Sequence, residues 1–291
     1  MPLTKLREYH LPQNKAEVIR LLHENQDDAL IVAGGTFISG LIARGLVTET
    51  EVVIDIQKLG LNQIQFDSNG LELGATVKFR QLEWEPKVQS DPAYGAIKDA
   101  LTYPPAQIIN TATVGGCVAS SCVFFDLPVS LLALRGVVTS EGPSGSRFIP
   151  LNEFFPGLFD NALEENEFVS AVTLPVPVGR TVSAFIKMEV NANDLAILNV
   201  AVCFSVDALG VCEDVQVWLG GGVGESYERA TAAEASLKGS TLSEDAALQA
   251  GEAAQNEITP LNDHRASEVY RKAMIKVLVK RTILKAIDRL D

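Results

Sequence analysis

The stretch IVAGGTFISG, Ile31 to Gly40, is the one from which the rest of the chain is best read. A second form of it follows further along as TATVGGCVAS, Thr111 to Ser120. Each sets a Gly-Gly pair after small or β-branched residues, and neither is the GxGxxG or GxxxxGKS of the standard nucleotide folds. A glycine pair lets backbone N–H groups converge on an anion, because no Cβ blocks close approach and positive φ is allowed. Thr36, Ser39, Thr111 and Thr113 add hydroxyl donors. Two such loops could hold the two phosphates of one dinucleotide from opposite sides. The competing reading is a pair of ordinary tight turns at strand ends.

A chain of 291 residues is long enough for two or three packed units. Its 47% hydrophobic and 21% charged residues are ordinary for a soluble globular protein. No apolar run approaches the ~18 residues of a membrane span. The richest, Val114 to Leu134, is broken by Asp126 and Pro128. The N-terminus lacks an apolar signal core, so the expected location is the cytoplasm. A net charge of −13 argues against nucleic acid as a partner. The charge is uneven, however. Residues 265–291 hold eight Lys/Arg against three Asp/Glu, a balance of +5 on an acidic body, which reads as a docking face or as a solvated helix face.

Acid–base machinery is missing from the pattern. His10, His23 and His264 have no nucleophile at useful spacing, and neither HExxH nor GxSxG occurs. The four cysteines form no CxxC and read as buried small hydrophobes rather than as a disulfide or metal set. No catalytic side chain and no metal ligand is therefore expected, and a bound cofactor would carry the chemistry.

Strand and helix signals alternate early: a helix over Asn14–Glu24, then strands Ala29–Val32, Val52–Ile56 and Leu71–Ala75. A helix over Ala93–Leu101 precedes Pro104-Pro105, another covers Pro128–Leu134, and a Gly/Ser/Pro turn lies at Glu141–Ser146. The texture changes near LPVPVGRT, Leu174–Thr181. Beyond it, Ser183–Val190, Leu195–Val206 and Val211–Leu219 read as an antiparallel meander, and helices fill Ala230–Leu237, Glu244–Ile258 and Ala266–Ile287. In the last, Val269, Ala273, Val277, Lys280, Leu284 and Ile287 trace one face, expected to pack on the meander.

Taken together, VAGGTFISG, TVGGCVASSCVFFDLPVSLLAL and the tail GGGVGESYERATAAEASLKG…EITPLNDHRASEVYRKAMIKVLVKR resemble the FAD-binding medium subunits of the molybdenum hydroxylases. These include subunits of carbon monoxide, xanthine and nicotinate dehydrogenases. The likeness runs from about Leu6 to Ile287. It implies an α+β protein. A vanillyl-alcohol-oxidase-like (PCMH-type) FAD-binding domain would span residues 1–176, as two α/β lobes of about 1–57 and 58–176. A CO-dehydrogenase-flavoprotein-like domain, a three-stranded antiparallel sheet plus helices, would span 177–291.

The resemblance also implies a site. Val32, Ala33, Gly34, Gly35, Thr36 and Phe37 would wrap the pyrophosphate of FAD, with Thr113, Val114, Gly115 and Gly116 closing the other side. Asp126 would stand near the flavin or its ribityl chain, and Lys187 would stabilise charge on the reduced ring. Leu195 would cover the ring, and Val169 would give a backbone contact. Read without the family, Asp126 could cap the helix at Pro128, Lys187 could be an exposed strand lysine, Leu195 plain core, and Gly220–Gly224 a turn or subunit contact. The sequence departs from the family at Cys117, at Ser120 where asparagine is common, and at Met188-Glu189-Val190-Asn191, which lacks the usual arginines.

The implied function is an electron-transfer subunit. Electrons from a molybdopterin-binding large subunit would pass through a [2Fe–2S] small subunit to this FAD, then to NAD⁺ or another acceptor. Two alternatives stand beside it: a stand-alone FAD oxidoreductase, and a flavin-free structural or assembly subunit.

Overall fold

The computed structural model describes residues 3–290. Three sheets follow one another along the chain. The first is built from β1 (Glu8–His10), α1 (Lys15–Asn25), β2 (Ala29–Val32), α2 (Thr36–Ala43) and β3 (Val52–Asp55). Its strands are parallel, in the order β1-β3-β2. α1 begins where Asn14 accepts the Glu17 amide at 2.9 Å, a side-chain cap on an orphan donor. Val18, Leu21 and Leu22 of α1 pack with Ile54, Ile56 and Phe168. By contrast α2, although its sequence TFISGLIA is strongly apolar, buries none of its residues.

The second unit runs β4 (Ile64–Asp67), β5 (Gly70–Gly74), then six short helices: α3 (Phe79–Glu83), α4 (Pro86–Ser90), α5 (Gly95–Ala100), α6 (Ala106–Thr111), α7 (Val114–Ala119) and α8 (Asp126–Ala133). β6 (Val137–Gly142), β7 (Gly145–Pro150), α9 (Leu151–Phe154) and β8 (Phe168–Pro175) complete it. Its antiparallel sheet has the order β4-β5-β8-β6-β7. The Glu141–Ser146 turn is the β6–β7 hairpin, with Gly142 opposite Gly145. TATVGGCVAS differs from its reading as a loop: its Gly-Gly pair lies inside the first turn of α7, and α6 rather than a strand precedes it.

In the third unit β9 (Arg180–Met188), β10 (Leu198–Val206) and β11 (Cys212–Gly220) form the expected meander. A two-residue edge strand, β12 (Glu228–Arg229), adds a fourth member to the three-stranded sheet implied by the sequence. α10 (Thr231–Leu237), α11 (Glu244–Glu257) and α12 (Glu268–Ile287) cover one face, burying Val200, Val217, Leu219, Ile275, Val279 and Ile283. The opposite face gives Phe185, Ala201 and Trp218 to the core of the second unit. Both faces are thus covered, which is why β10 reads LNVAVCFSV instead of alternating.

One expectation for α12 fails. Its buried stripe is Arg271, Ile275, Leu278, Thr282, Ile283 and Ala286, while Val269 is 79% exposed. A hydrophobic-periodicity reading assigns arginine and threonine to solvent; here Arg271 is buried against Asp263 and Thr282 bonds the Leu278 carbonyl. Part of its basic charge is paired within the chain. Lys276 pairs with Glu252 and Lys280 with Glu244 of α11, and Lys285 and Arg289 both reach Asp99 of α5, at 2.9 and 2.6 Å. Among the described residues no helix is long and apolar enough to cross a membrane.

Candidate functional site

The first Gly-Gly pair joins β2 to α2. Gly35 is the helix N-cap with φ +69°, left-handed backbone that costs a non-glycine residue roughly 1 kcal/mol. It supplies no side-chain cap, and among the described residues no acceptor pairs with the amides of Gly35, Thr36, Phe37 or Ile38. Four donors at one helix start are thus open, the arrangement that suits a phosphate. Gly34 lies flat on the backbone at Thr111–Ala112. A Cβ there would overlap the Thr111 carbonyl oxygen and stand 3.0 Å from Ala112 Cα. The two glycine segments are therefore in direct contact.

The second pair is closed. Thr113 caps α7, its Oγ1 accepting the Gly116 amide at 3.3 Å. Val114 N donates to Val77 O and Gly115 N to Ala75 O, both at 2.9 Å, and Cys117 N donates to Thr113 O. A Cβ on Gly115 would come within 2.5 Å of Ala75 Cβ. These glycines let the helix lie against the end of β5. Gly116 is the exposed member of the pair.

Phe37 carries the first segment onward. Its ring meets Phe125 edge-on at 5.6 Å and Phe159 at 5.8 Å. Phe125 directly precedes Asp126, the first residue of α8, whose side chain does not cap that helix. Instead Asp126 Oδ2 accepts from Lys187 Nζ at 3.1 Å, and Oδ1 accepts from Asn199 Nδ2 at 3.0 Å. Lys187 on β9 and Asn199 on β10 are directly opposite, a cross-strand pair. Lys187 Nζ also donates to the Asp194 carbonyl at 2.8 Å and stands 2.8 Å from Glu189 Oε2, an ion pair lacking hydrogen-bond angles. The ammonium lies 5.0 Å over the Tyr103 ring, and its side chain is only 3% exposed. Burial raises Asp126 to about 6, against the lowering pull of Lys187 and of the Asn199 hydrogen bond.

The remaining positions divide. Leu195 follows Asp194 and is 39% exposed, so it is neither core nor shielded. Its neighbour Ala196 donates to the Phe124 carbonyl, and Ile197 O accepts from the buried Arg271 guanidinium at 3.1 Å, which holds the 189–197 loop from two sides. Val32 ends β2 and Ala33 is buried beneath the turn. Val169 is buried within β8. Gly220–Gly224 is a turn: Gly221 N donates to Val123 O, and Gly222 lies against the Arg271 guanidinium. Burial pushes the Cys122 and Cys212 thiols to about 11 and Cys203 to about 12, so they remain protonated at neutral pH.

Asn199, Glu189, Phe125, Phe159 and Tyr103 escaped the sequence reading. Asn199 alone carries a local signal, an amide in the middle of an apolar strand run. Ser120, standing where asparagine was expected, gives its hydroxyl to the Cys117 carbonyl, while Asn161 from a distant loop brings an amide to Ala119 O at 3.1 Å.

Residues 4–177 match the family described as the FAD binding domain in molybdopterin dehydrogenase. Residues 183–286 match the CO dehydrogenase flavoprotein C-terminal domain. The chain is 30% identical to the nicotine 6-hydroxylase medium subunit of Paenarthrobacter nicotinovorans, over 98% of this chain and 99% of that one. It is 28% identical to the nicotinate dehydrogenase FAD-subunit of Eubacterium barkeri, over 98% and 97%. Among solved structures, carbon monoxide dehydrogenase from Hydrogenophaga pseudoflava superimposes with a TM-score of 0.91 at 28% identity, covering 98% of each chain. Quinoline 2-oxidoreductase from Pseudomonas putida 86 gives 0.90 at 25% identity, covering 100% and 99%.

Proposed function

Because the chain belongs to the family of FAD-binding medium subunits of the molybdenum hydroxylases, we propose that it passes electrons from a partner's [2Fe–2S] clusters, by way of FAD, to NAD⁺ or another acceptor. The partners are a molybdopterin-binding large subunit and an iron–sulfur small subunit. Nicotine, nicotinate and carbon monoxide appear in the names of relatives, and the substrate of this assembly is read by its large subunit.

The observation that carries the reading is the open first turn of α2, four unpaired amides held against Thr111 by a glycine that tolerates no Cβ. That cradle fits a pyrophosphate. FAD, when bound, supplies the conversion between one-electron and two-electron transfer. The protein's residues do the rest. Gly35 to Ile38 hold the phosphates; Phe37, Phe125 and Phe159 exclude water beside them; Leu195 covers the ring, and the Lys187 cluster sets the charge nearby. Lys187, with its contacts taken by Asp126, Asp194 and Glu189, acts through its field rather than by donating to the flavin. Functional units at about 1–57, 58–176 and 177–291 accompany this reading, as does a reducing, cytoplasmic setting, which suits four unpaired cysteines.

The test is the visible spectrum of the full chain, with the released cofactor identified after denaturation. About one FAD per chain is expected, lost in Gly34→Val while the apo chain stays folded by circular dichroism. A colourless wild type that also takes up no added FAD would sink the proposal. Partner and acceptor are read separately, from molybdenum and iron in the co-purified complex and from NAD⁺ reduction by the reduced complex.

A further inference from the structure

Lys187 is the one cation inside its cluster, and two carboxylates face it. Asp126 approaches from α8 at 3.1 Å and Glu189, the first residue beyond the end of β9, from 2.8 Å. Both lie on an ammonium with 3% exposed side-chain surface, so solvent screens the group weakly. Among the described residues, the other groups packed around it are neutral or hydrogen-bonded, apart from Arg265, whose buried Nη1 has no hydrogen-bond partner. Tyr103 and Tyr227 are held protonated by burial, as are Cys117 and Cys122. Asn199 is an amide, and the side chain of Asp194 turns to Asn191. Asp99, beyond Tyr103, is matched by Lys285 and Arg289. Arg265, the other nearby cation, stacks 4.6 Å over Phe124. With both carboxylates ionised the cluster sums to −1, the reverse of the cationic site that Lys187 alone would make.

We propose that Glu189 tunes the bound flavin: paired to Lys187 from just beyond the end of β9, it holds this buried cluster negative and lowers the flavin's reduction potential, favouring release of electrons to a low-potential acceptor. The proposal rests on the reading that FAD lies beside Leu195 and Lys187. Glu189 is a positioning residue for charge and touches no reacting atom. An added negative charge opposes the charge gained on reduction. In a medium of effective dielectric ~20, a unit charge within roughly 10 Å of a group shifts its oxidised-to-reduced equilibrium about tenfold.

The experiment measures the midpoint potential of FAD bound to the full chain by dye equilibration at pH 8, for wild type, Glu189→Gln and Glu189→Asp. Glu189→Gln is expected to shift the equilibrium about tenfold toward reduced flavin, about 30 mV upward for a two-electron couple, at unchanged FAD stoichiometry. Glu189→Asp, which keeps the charge, is expected to stay near wild type. An unchanged potential in Glu189→Gln with FAD bound would overturn the tuning role and leave the proposed function standing. Equal shifts in both variants would also overturn it, since geometry and not charge would then be responsible. A wild type that binds no FAD would overturn the proposed function itself, and this inference with it. Should Glu189→Gln fail to fold, Glu189→Ala in the co-purified complex gives the same reading.

Discussion

The two Gly-Gly pairs share a dipeptide and little else. In the first, glycine stands outside the helix: Gly35 turns the chain at positive φ, and the amides after it remain open. In the second, the glycines stand inside the helix and their amides are taken by the Ala75 carbonyl and the Thr113 hydroxyl. One pair leaves donors open at a helix start. The other lets two backbones touch. A glycine pair therefore signals close approach, and only its place relative to the helix start decides what approaches.

Substitution can break or sharpen this contrast. The largest effect is expected at Gly34, where a side chain would strike the Thr111 carbonyl: Gly34→Val should abolish FAD binding and remove the rise in Tm on adding FAD. In wild type that rise corresponds to about 2.7 kcal/mol at a hundredfold excess over Kd. Gly115→Ala should instead lower the Tm of the apo chain, by overpacking worth about 1–3 kcal/mol against Ala75, with FAD affinity falling only as stability does. If Gly115→Ala weakened FAD binding while leaving the apo Tm untouched, the assignment of the second pair to packing would be wrong.

Next comes Asp126. Its folded value of about 6 lies above that of an unfolded aspartate, so the folded state binds the extra proton. Its contribution to stability is thus full at low pH and declines as pH rises from about 4 through about 6, by at most about 3 kcal/mol. Chemical denaturation of Asp126→Asn across pH 4–8 should lack this component; a pH profile parallel to wild type would refute it. Smaller still, Thr113→Val removes the α7 cap and should cost about 1 kcal/mol of stability, read in the same denaturation. Gly35→Ala should cost about as much in strain, with room for its methyl because the nearest atom, Val32 Cγ1, is 3.7 Å away. Its FAD binding should therefore survive, weakened.

Much of this architecture was legible because local rules and global packing agreed. β2 was bounded correctly at Ala29–Val32, and the meander of β9, β10 and β11 emerged from long apolar strand runs separated by turn residues. α11 was placed at Glu244–Ile258 and runs Glu244–Glu257, with Ser243 capping it. Legibility failed where a polar side chain was drawn inward by a partner distant in sequence. Arg271 rotated the apparent face of α12, and the basic residues beyond it were claimed by Asp99, far back in α5. α7 was missed for a related reason, since a six-residue helix starting Val-Gly-Gly has poor intrinsic propensity and persists through Thr113 and its contacts with β5.

What the sequence determined by itself was the list of parts: two glycine pairs, a meander, terminal helices, and the family whose motifs they carry. Spacing and residue type are local properties, and they survive without a fold. What only the tertiary structure decided was which amides stay open and what charge surrounds Lys187. An amide is open or closed according to whether Ala75 and Val77 arrive beside it. The ammonium is outweighed because α8 delivers Asp126 to the end of β9, where Glu189 already stands. Hydrogen bonds and fields depend on distance in space, and chain order does not encode that distance one residue at a time.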